Sequence, residues 1–199
     1  IVKWPAGTVA GGFNGGNPAG FTSGAAGLSS VTYPRWANWT ERYLAVTKTD
    51  LIKKMREAYV KTGFKSPIKY PTLDRGAPRR QLYTNYEVLS EIETIGEDQN
   101  ENLGRDIASM DGQIMFRRLP INWVPKLDSD ASNPIYGFDW ATMFPVFLRG
   151  EYLNESKPTV KADQHTVIVV HVDCTWNIRC HNRRRNWVIS LLSSTDTLT

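Results

Sequence analysis

A long alternating stretch near the C-terminal end is the clearest pattern in the chain. Every second residue from Ile168 to Cys180 is apolar, and every second residue from His171 to His181 is polar. A period of two places these sets on opposite faces of a β-sheet, so the pattern predicts one strand from Thr166 to Cys180 with one buried face. At about 3.3 Å per residue this strand would be roughly 50 Å long, which is more typical of an elongated shell subunit than of a small compact enzyme.

Two helical stripes precede this strand. Apolar side chains recur at helical spacing from about Thr49 to Thr62, and Gly63 is placed to end that helix. A second stripe follows the capping-box pattern Thr84–Glu87 and ends at Gly96. The chain is therefore expected to combine helices with strands.

Short apolar runs between turn signals predict the remaining strands. The predicted strands are Gln81–Thr84, Ile114–Arg118, Ile121–Val124, Thr142–Leu153 and Asn186–Leu192. A loop is predicted for Pro125–Pro134 and a turn for Asn154–Asp163, because both are rich in turn-forming residues. Together with the helices, these strands indicate the α+β class. No internal repeat is visible, although the dipeptide Asn-Trp occurs three times.

The first part of the chain is rich in glycine and poor in charge. Trp4 to Pro34 contains eight glycines and no charged residue, so a regular helix or strand would be costly there. One interpretation is a flexible linker. The other is an extended arm that becomes ordered against neighbouring subunits, since Trp4, Phe13, Phe21 and Leu28 supply apolar anchors.

Composition narrows the class of protein. The 199 residues are 41% hydrophobic with a net charge of +4, which allows a real core and does not by itself indicate a nucleic-acid binder. No apolar run approaches the roughly 20 residues that cross a bilayer, which favours a soluble protein. Cys174 and Cys180 would lie about 20 Å apart on one strand, too far for a disulfide. Two such unpaired thiols fit a reducing compartment.

The chain carries no recognisable catalytic or metal motif. All three histidines, His165, His171 and His181, lie in or beside the long predicted strand, where a solvated polar face explains them. Cys174, Cys180 and His181 cannot reach one zinc ion without breaking that strand. We therefore expect no enzymatic activity, no catalytic or metal-binding residues and no cofactor.

An arginine run is the sharpest charge feature. Arg183, Arg184 and Arg185 could contact phosphates, form a solvated hairpin tip, or pair with an acidic stretch of the same or another copy. The stretch Glu97–Glu101 offers such a partner. The candidate inter-subunit contacts are Arg183, Arg184, Arg185, Glu97, Asp98 and Glu101.

Three segments carry a resemblance to a known family. Tyr83–Leu89 forms a strand-to-helix step, Phe116–Val124 contains a leucine-proline-apolar step, and Gln164–Ser190 leads through an arginine-bearing corner to a last strand. From about Thr47 onward, this layout resembles the tailed-bacteriophage major capsid protein, which has the HK97-like fold. The N-terminal arm, extended loop and spine helix of that family have no counterpart in Ile1–Asn38. We therefore expect the chain to be the C-terminal part of a longer subunit.

The resemblance implies a domain organisation. It implies an A-domain sheet flanked by helices and a peripheral domain with a long β-strand. The expected boundaries are residues 1–44 for a Gly-rich arm or connector, 45–140 for the A-domain, 141–182 for the peripheral strands and 183–199 for a strand returning to the A-domain.

The resemblance also implies a function. The chain would be a structural protein that self-assembles into an icosahedral shell enclosing a phage genome, assembled in the host cytoplasm and located in the virion. Its partners would be other copies in hexamers and pentamers, packaged DNA on the inner face, and decoration or scaffolding proteins, but no membrane. Two alternatives remain: an encapsulin-like compartment shell, and a nucleic-acid-binding β module that uses the arginines with Trp176 and Trp187 for stacking.

Overall fold

The computed structural model describes residues 10–17, 20–24, 27–63, 80–98, 114–117, 119–162, 164 and 166–192. Within these residues the fold is α+β and mostly sheet, with two α-helices. The chain divides into two compact units. We call Ile1–Thr142 together with Asn182–Thr199 the sheet unit, and Met143–His181 the ribbon unit.

Most of the regular structure consists of short strands. In chain order the elements are β1 (Trp39–Tyr43), α1 (Leu51–Lys61), β2 (Arg80–Thr84), α2 (Tyr86–Asp98), β3 (Met115–Phe116), β4 (Leu119–Trp123), β5 (Ile135–Asp139), β6 (Met143–Phe147), β7 (Asn154–Glu155), β8 (Thr159–Val160), β9 (Ile168–Val169), β10 (Val172–Asp173), β11 (Trp176–Cys180) and β12 (Trp187–Leu191). Short 3-10 helices lie at Pro34–Trp36, Pro125–Ser129, Trp140–Thr142 and Arg183–Arg185.

The sheet unit is built on a six-stranded mixed sheet. Its strand order is β1-β12-β5-β2-β4-β3. β1 is parallel to β12 and β2 is parallel to β4, whereas β5 runs antiparallel to both β12 and β2. The last strand of the chain therefore lies between the first strand and β5, and it joins distant parts of the sequence in one sheet.

The first predicted helix is confirmed as α1. It begins at Leu51 and buries Leu51, Met55 and Ala58, which are four and three residues apart and so lie on one face. These side chains belong to the same core cluster as Tyr43 and Ile189 of the sheet. The apolar stripe thus predicted both the helix and the face that it buries.

The second helix, α2, is present, but its N-terminal cap is not the predicted one. The Oδ1 atom of Asn85 accepts a hydrogen bond from the backbone N–H of Val88 at 3.2 Å, so Asn85 is the capping residue and Thr84 is not. Glu87 does not close a capping box, because its Oε2 accepts a hydrogen bond from Asn133 Nδ2 at 3.0 Å. The helix also extends beyond its predicted end.

Two strands of the sheet were not predicted. All five residues of β1 are buried, including Glu41 and Arg42. The strand therefore has no alternation of buried and exposed residues, and its sequence does not alternate between apolar and polar ones. β5 carries Gly137 at its centre, which weakens its strand signal. β1 lies within the expected arm at residues 1–44, and it shares its sheet with β2, β4 and β5 of the expected A-domain at 45–140. Both stretches contribute strands to the sheet unit.

The long strand predicted for Thr166–Cys180 is not continuous. It is divided into β9, β10 and β11, which pair with β8, β7 and β6 in three separate two-stranded ladders. The predicted strand Thr142–Leu153 is shortened to β6, and the predicted turn Asn154–Asp163 contains β7 and β8. None of the described residues of the ribbon unit is buried, so the apolar face predicted to be buried is exposed.

Close packing of a tryptophan on a glycine holds the centre of the sheet. Trp187 on β12 lies opposite Gly137 on β5 and is only 3% exposed. A Cβ atom at Gly137 would overlap the indole ring of Trp187, with Cε2 and Nε1 as its nearest atoms. The indole therefore occupies the space that any side chain at position 137 would need.

Gly137→Ala should lower the free energy of unfolding by about 2–3 kcal/mol, because the added methyl group displaces a buried indole. Gly96→Ala is the matched control, since Gly96 lies in α2 and a methyl group added there would meet no atom within 4 Å. That control should raise the free energy of unfolding by about 0.5–1 kcal/mol. Urea denaturation of both variants measures the difference, and equal effects would contradict this role of Gly137.

Candidate interaction site at the arginine turn

The arginine run forms a short 3-10 helix, Arg183–Arg185, which we call the arginine turn. Asn182 caps it, because its Oδ1 accepts a hydrogen bond from the backbone N–H of Arg184 at 3.1 Å. The turn lies directly before β12, at the point where the chain enters the six-stranded sheet. Each of its three side chains contacts different partners within the sheet unit.

Arg183 is enclosed by its own chain. It is 2% exposed, and its Nη2 donates hydrogen bonds to the carbonyl oxygen of Gly16 at 2.8 Å and to Oδ1 of Asn38 at 2.9 Å. These acceptors belong to two segments that are distant from Arg183 in the sequence. The guanidinium therefore connects residues 10–17, which we call the N-terminal strap, to the residue preceding β1.

Arg184 stacks on the N-terminal strap. Its guanidinium carbon lies 3.7 Å from the ring centroid of Phe13, within the range of a cation–π contact. The Phe13 ring in turn meets Trp39 edge-on, with centroids 5.1 Å apart. Gly12 and Thr40 exchange two backbone hydrogen bonds of 2.9 and 3.1 Å, so the strap extends the edge of the sheet next to β1. Part of the predicted arm is thus ordered against its own chain.

Arg185 forms a buried ion pair. Its Nη2 lies 2.5 Å from Oδ2 of Asp139, whose side chain is fully buried at the end of β5. Asp139 also accepts a hydrogen bond from the backbone N–H of Ala141 at 3.1 Å, and its own N–H donates to Oδ1 of Asn186 at 2.8 Å. A buried carboxylate needs such partners, because its desolvation is otherwise costly.

Two of the three Asn-Trp dipeptides flank the arginine turn. Asn38-Trp39 and Asn186-Trp187 lie side by side, since Trp39 and Trp187 are register partners in the parallel pair of β1 and β12. All four residues are buried. Each asparagine bonds a different polar group of the site, and each tryptophan enters the core. The repeated dipeptide is the sequence signal from which the site could have been found.

The predicted acidic partners are not brought to the arginine turn. Glu97 and Asp98 lie at the end of α2, but their side chains, like the whole of Glu101, lie outside the described structure. Their pairing with the arginines of another copy stays a prediction. Arg183 is unsuited to that pairing because it is buried in its own chain, and for the same reason the interpretation as a solvated hairpin tip is wrong. The acidic partner of Arg185 is Asp139, a residue that no sequence pattern had indicated.

The stacking residues proposed for a nucleic-acid module differ in accessibility. Trp187 is 3% exposed and belongs to the hydrophobic core, so it cannot stack on a base without unfolding the sheet. Trp176 is 59% exposed and lies in the ribbon unit. The arginines and tryptophans therefore do not form the stacking platform that this alternative requires.

A buried carboxylate lies beneath the N-terminal strap. Glu41 on β1 is 4% exposed, and its Oε2 accepts a hydrogen bond from Trp39 Nε1 at 3.4 Å. Burial raises the pKa of Glu41 to about 7, and the negative charges of Glu57 and Asp50 add to that rise. The Trp39 hydrogen bond and the positive charge of Lys54 act in the opposite direction.

The part of the chain that the structure describes offers neither a metal cluster nor a membrane-spanning helix. No group of three His, Cys, Asp or Glu side chains in these residues is arranged to hold a metal ion. None of the described helices is both long and apolar enough to cross a membrane.

Comparisons with protein-family models, curated proteins and solved structures gave no match for this chain.

Arg185→Met should lower the free energy of unfolding by about 3 kcal/mol, because it leaves the buried carboxylate of Asp139 without its cation. Adding Asp139→Asn should recover much of that loss, since it removes the orphaned charge. Arg149→Met, at an exposed arginine of the ribbon unit, serves as the control. Chemical denaturation of the four proteins tests the ion pair, and equal losses in Arg185→Met and Arg149→Met would refute it.

Glu41→Gln should change how stability depends on pH. The folded-state pKa of about 7 exceeds the ordinary value of 4.5, so the folded state holds its proton more tightly and stability falls as pH rises from 4.5 to 7. The variant should lose this fall, which is at most about 3.5 kcal/mol at about 1.4 kcal/mol per pKa unit between 4.5 and 7, and smaller to the extent that solvent screens the carboxylate. Denaturation at pH 5 and pH 8 measures it. Glu93→Gln, at an exposed position of α2, should keep the wild-type profile.

Proposed function

We propose that the chain is a structural subunit of an HK97-like icosahedral shell that encloses a phage genome, and that it is not an enzyme. One observation supports this proposal most strongly. In the ribbon unit no described residue is buried, although the unit is rich in large apolar side chains. A chain that exposes this much apolar surface is suited to packing against other subunits.

The ribbon unit contains more than half of the large hydrophobic side chains that are exposed in the described structure. They are Val146, Phe147, Leu148, Tyr152, Leu153, Val160, Val167, Ile168, Val170, Val172, Trp176 and Ile178. Isolated two-stranded ladders are at best marginally stable in water, and they gain stability by packing an apolar face on another element. The three ladders of the ribbon unit therefore favour a role in assembly.

The course of the chain is consistent with a two-lobed shell subunit. The chain leaves the sheet unit after β5, forms the ribbon unit, and returns as β12 to a central place in the same sheet. The sheet unit has a core of its own, whereas the described residues of the ribbon unit form none. A lobe with its own core can keep its shape while a second lobe takes its order from neighbouring copies.

The arginine turn has an internal role in this proposal. Arg183, Arg184 and Arg185 hold the N-terminal strap and β5 around the start of β12, so they would fix the shape of the subunit before it meets its neighbours. Contacts between copies would then be made by other surfaces and repeated around symmetry axes. Each contact can be weak, because a subunit held at several edges gains effective concentration at every edge.

The purified full-length gene product should form closed particles rather than monomers. Negative-stain microscopy and light scattering measure the particles, and the ratio of absorbance at 260 and 280 nm reports their nucleic-acid content. Closed shells that contain nucleic acid agree with the proposal. Closed shells that lack nucleic acid and enclose a protein cargo would favour a compartment instead. A protein that stays monomeric across the micromolar range would contradict assembly altogether.

A further inference from the structure

The paired strands β6 and β11 form a ribbon with two chemically different faces. In its register Trp176 pairs with Phe147, Ile178 with Pro145, and Cys180 with Met143. Residues directly opposite each other in an antiparallel pair project to the same side. One face of the β6–β11 ribbon is therefore apolar over its whole length, and it is the face that the sequence alternation defined.

The other face of the ribbon is mixed. It carries Asn177 opposite Val146 and Arg179 opposite Phe144, and the ring of Phe144 meets His181 edge-on with centroids 5.1 Å apart. Polar side chains on this face can remain in water when the apolar face is covered. The ribbon is thus amphipathic in the way expected of a sheet that is buried on one side only.

The apolar face is exposed in the single chain. Trp176 is 59% exposed, Phe147 42% and Ile178 41%. Tyr152, which is 60% exposed, meets the Phe147 ring edge-on with centroids 4.7 Å apart and enlarges the apolar surface at that end. Side chains of this size together offer on the order of 500 Å² per copy, or about 1,000 Å² for a symmetric pair, which reaches the lower bound for a specific interface.

The size of the side chains changes along the apolar face. Trp176 and Phe147 form the large end, whereas Cys180 and Met143 form the small end. If two copies meet face to face around a two-fold axis that is perpendicular to the strands, the large end of one lies over the small end of the other. Facing sheets interdigitate best when large residues meet small ones, and they pack about 10 Å apart. The surface is therefore complementary to itself in this one orientation.

We propose that the apolar face of the β6–β11 ribbon packs against the same face of a second copy of this chain, with the two ribbons antiparallel around a two-fold axis. This inference rests on the proposed function and names one of its contacts. The occupant is a second copy because the face matches itself in shape, because the symmetric area suffices for an interface, and because an isologous contact uses one surface twice.

Thiol cross-linking tests the orientation. In a Cys174→Ser background, Phe147→Cys places a thiol at the large end, opposite Cys180 of the second copy. Ribbons that pack about 10 Å apart hold facing Cα atoms too far apart for a direct disulfide, so the probe is a bis-methanethiosulfonate reagent with a spacer of about 5 Å. Within one copy, positions 147 and 180 are four residues apart along the ribbon, about 13 Å, so the reagent cannot bridge them internally. The reagent should convert most of the protein to a covalent dimer on a non-reducing gel, and adding Cys180→Ser should abolish that dimer.

Val146→Cys in the same background is the matched control. Val146 neighbours Phe147 on β6 and is 45% exposed, but it lies on the other face. It should yield at least about tenfold less dimer than Phe147→Cys, because its thiol points away from the second copy. Equal yields from the two variants would overturn the proposal. So would a dimer that persists when Cys180→Ser is added, and so would a lack of dimer with both variants.

A second pair of variants tests the energetics. Ile178→Ser and Val146→Ser lie on opposite faces at similar exposure, 41% and 45%. Light scattering should show dimer affinity weakened about tenfold or more by Ile178→Ser and less than about twofold by Val146→Ser. Circular dichroism checks that both fold, and equal effects would overturn the proposal.

The two proposals can fail separately. If particles assemble but the 147–180 cross-link does not form, this contact is rejected and the proposed shell is retained. If cross-linked dimers form but particles never do, the proposed shell is rejected and the contact is retained.

Discussion

The buried ion pair between Arg185 and Asp139 is the interaction on which the sheet unit depends. It joins the turn before β12 to the end of β5, and its carboxylate is fully buried. A charge in that position is stable only with a close partner, so the two strands cannot separate without exposing or orphaning it. The neighbouring contacts of Arg183 and Arg184 extend the same constraint to the N-terminal strap. Three consecutive cations thus serve as internal connections between segments that are far apart in the sequence.

The two units of the chain illustrate two ways of handling apolar surface. The sheet unit buries Trp39, Leu51 and Trp187 in a core of its own. The ribbon unit contains comparable side chains, and all of those that the structure describes are at least partly exposed. Since hydrophobic burial is the main favourable term in folding, the second arrangement costs stability in a single chain and favours association. This contrast, rather than any catalytic geometry, directs the functional proposal towards assembly.

Parts of the fold could be predicted because their signals are local. The stripe of α1 identified the helix and its buried face, and the alternation before the arginine turn identified the residues that share a face in β11. β1 was not predicted because it contains two buried charged residues, Glu41 and Arg42. Whether charged residues are buried depends on partners that the local sequence does not show. The candidate site was located in part: the arginines were recognised, but Asp139 and the paired Asn-Trp dipeptides were not.

The sequence by itself determined the α+β class, both helices and the division of the C-terminal residues into an apolar and a polar set. These features follow from periodicity, which depends only on backbone geometry. The tertiary structure alone decided that the apolar set stays exposed, that the long strand divides among three partners, and that Arg185 pairs with Asp139. The physical reason is that periodicity states which side chains share a face, whereas the partner that covers a face or neutralises a charge comes from distant segments or from another molecule.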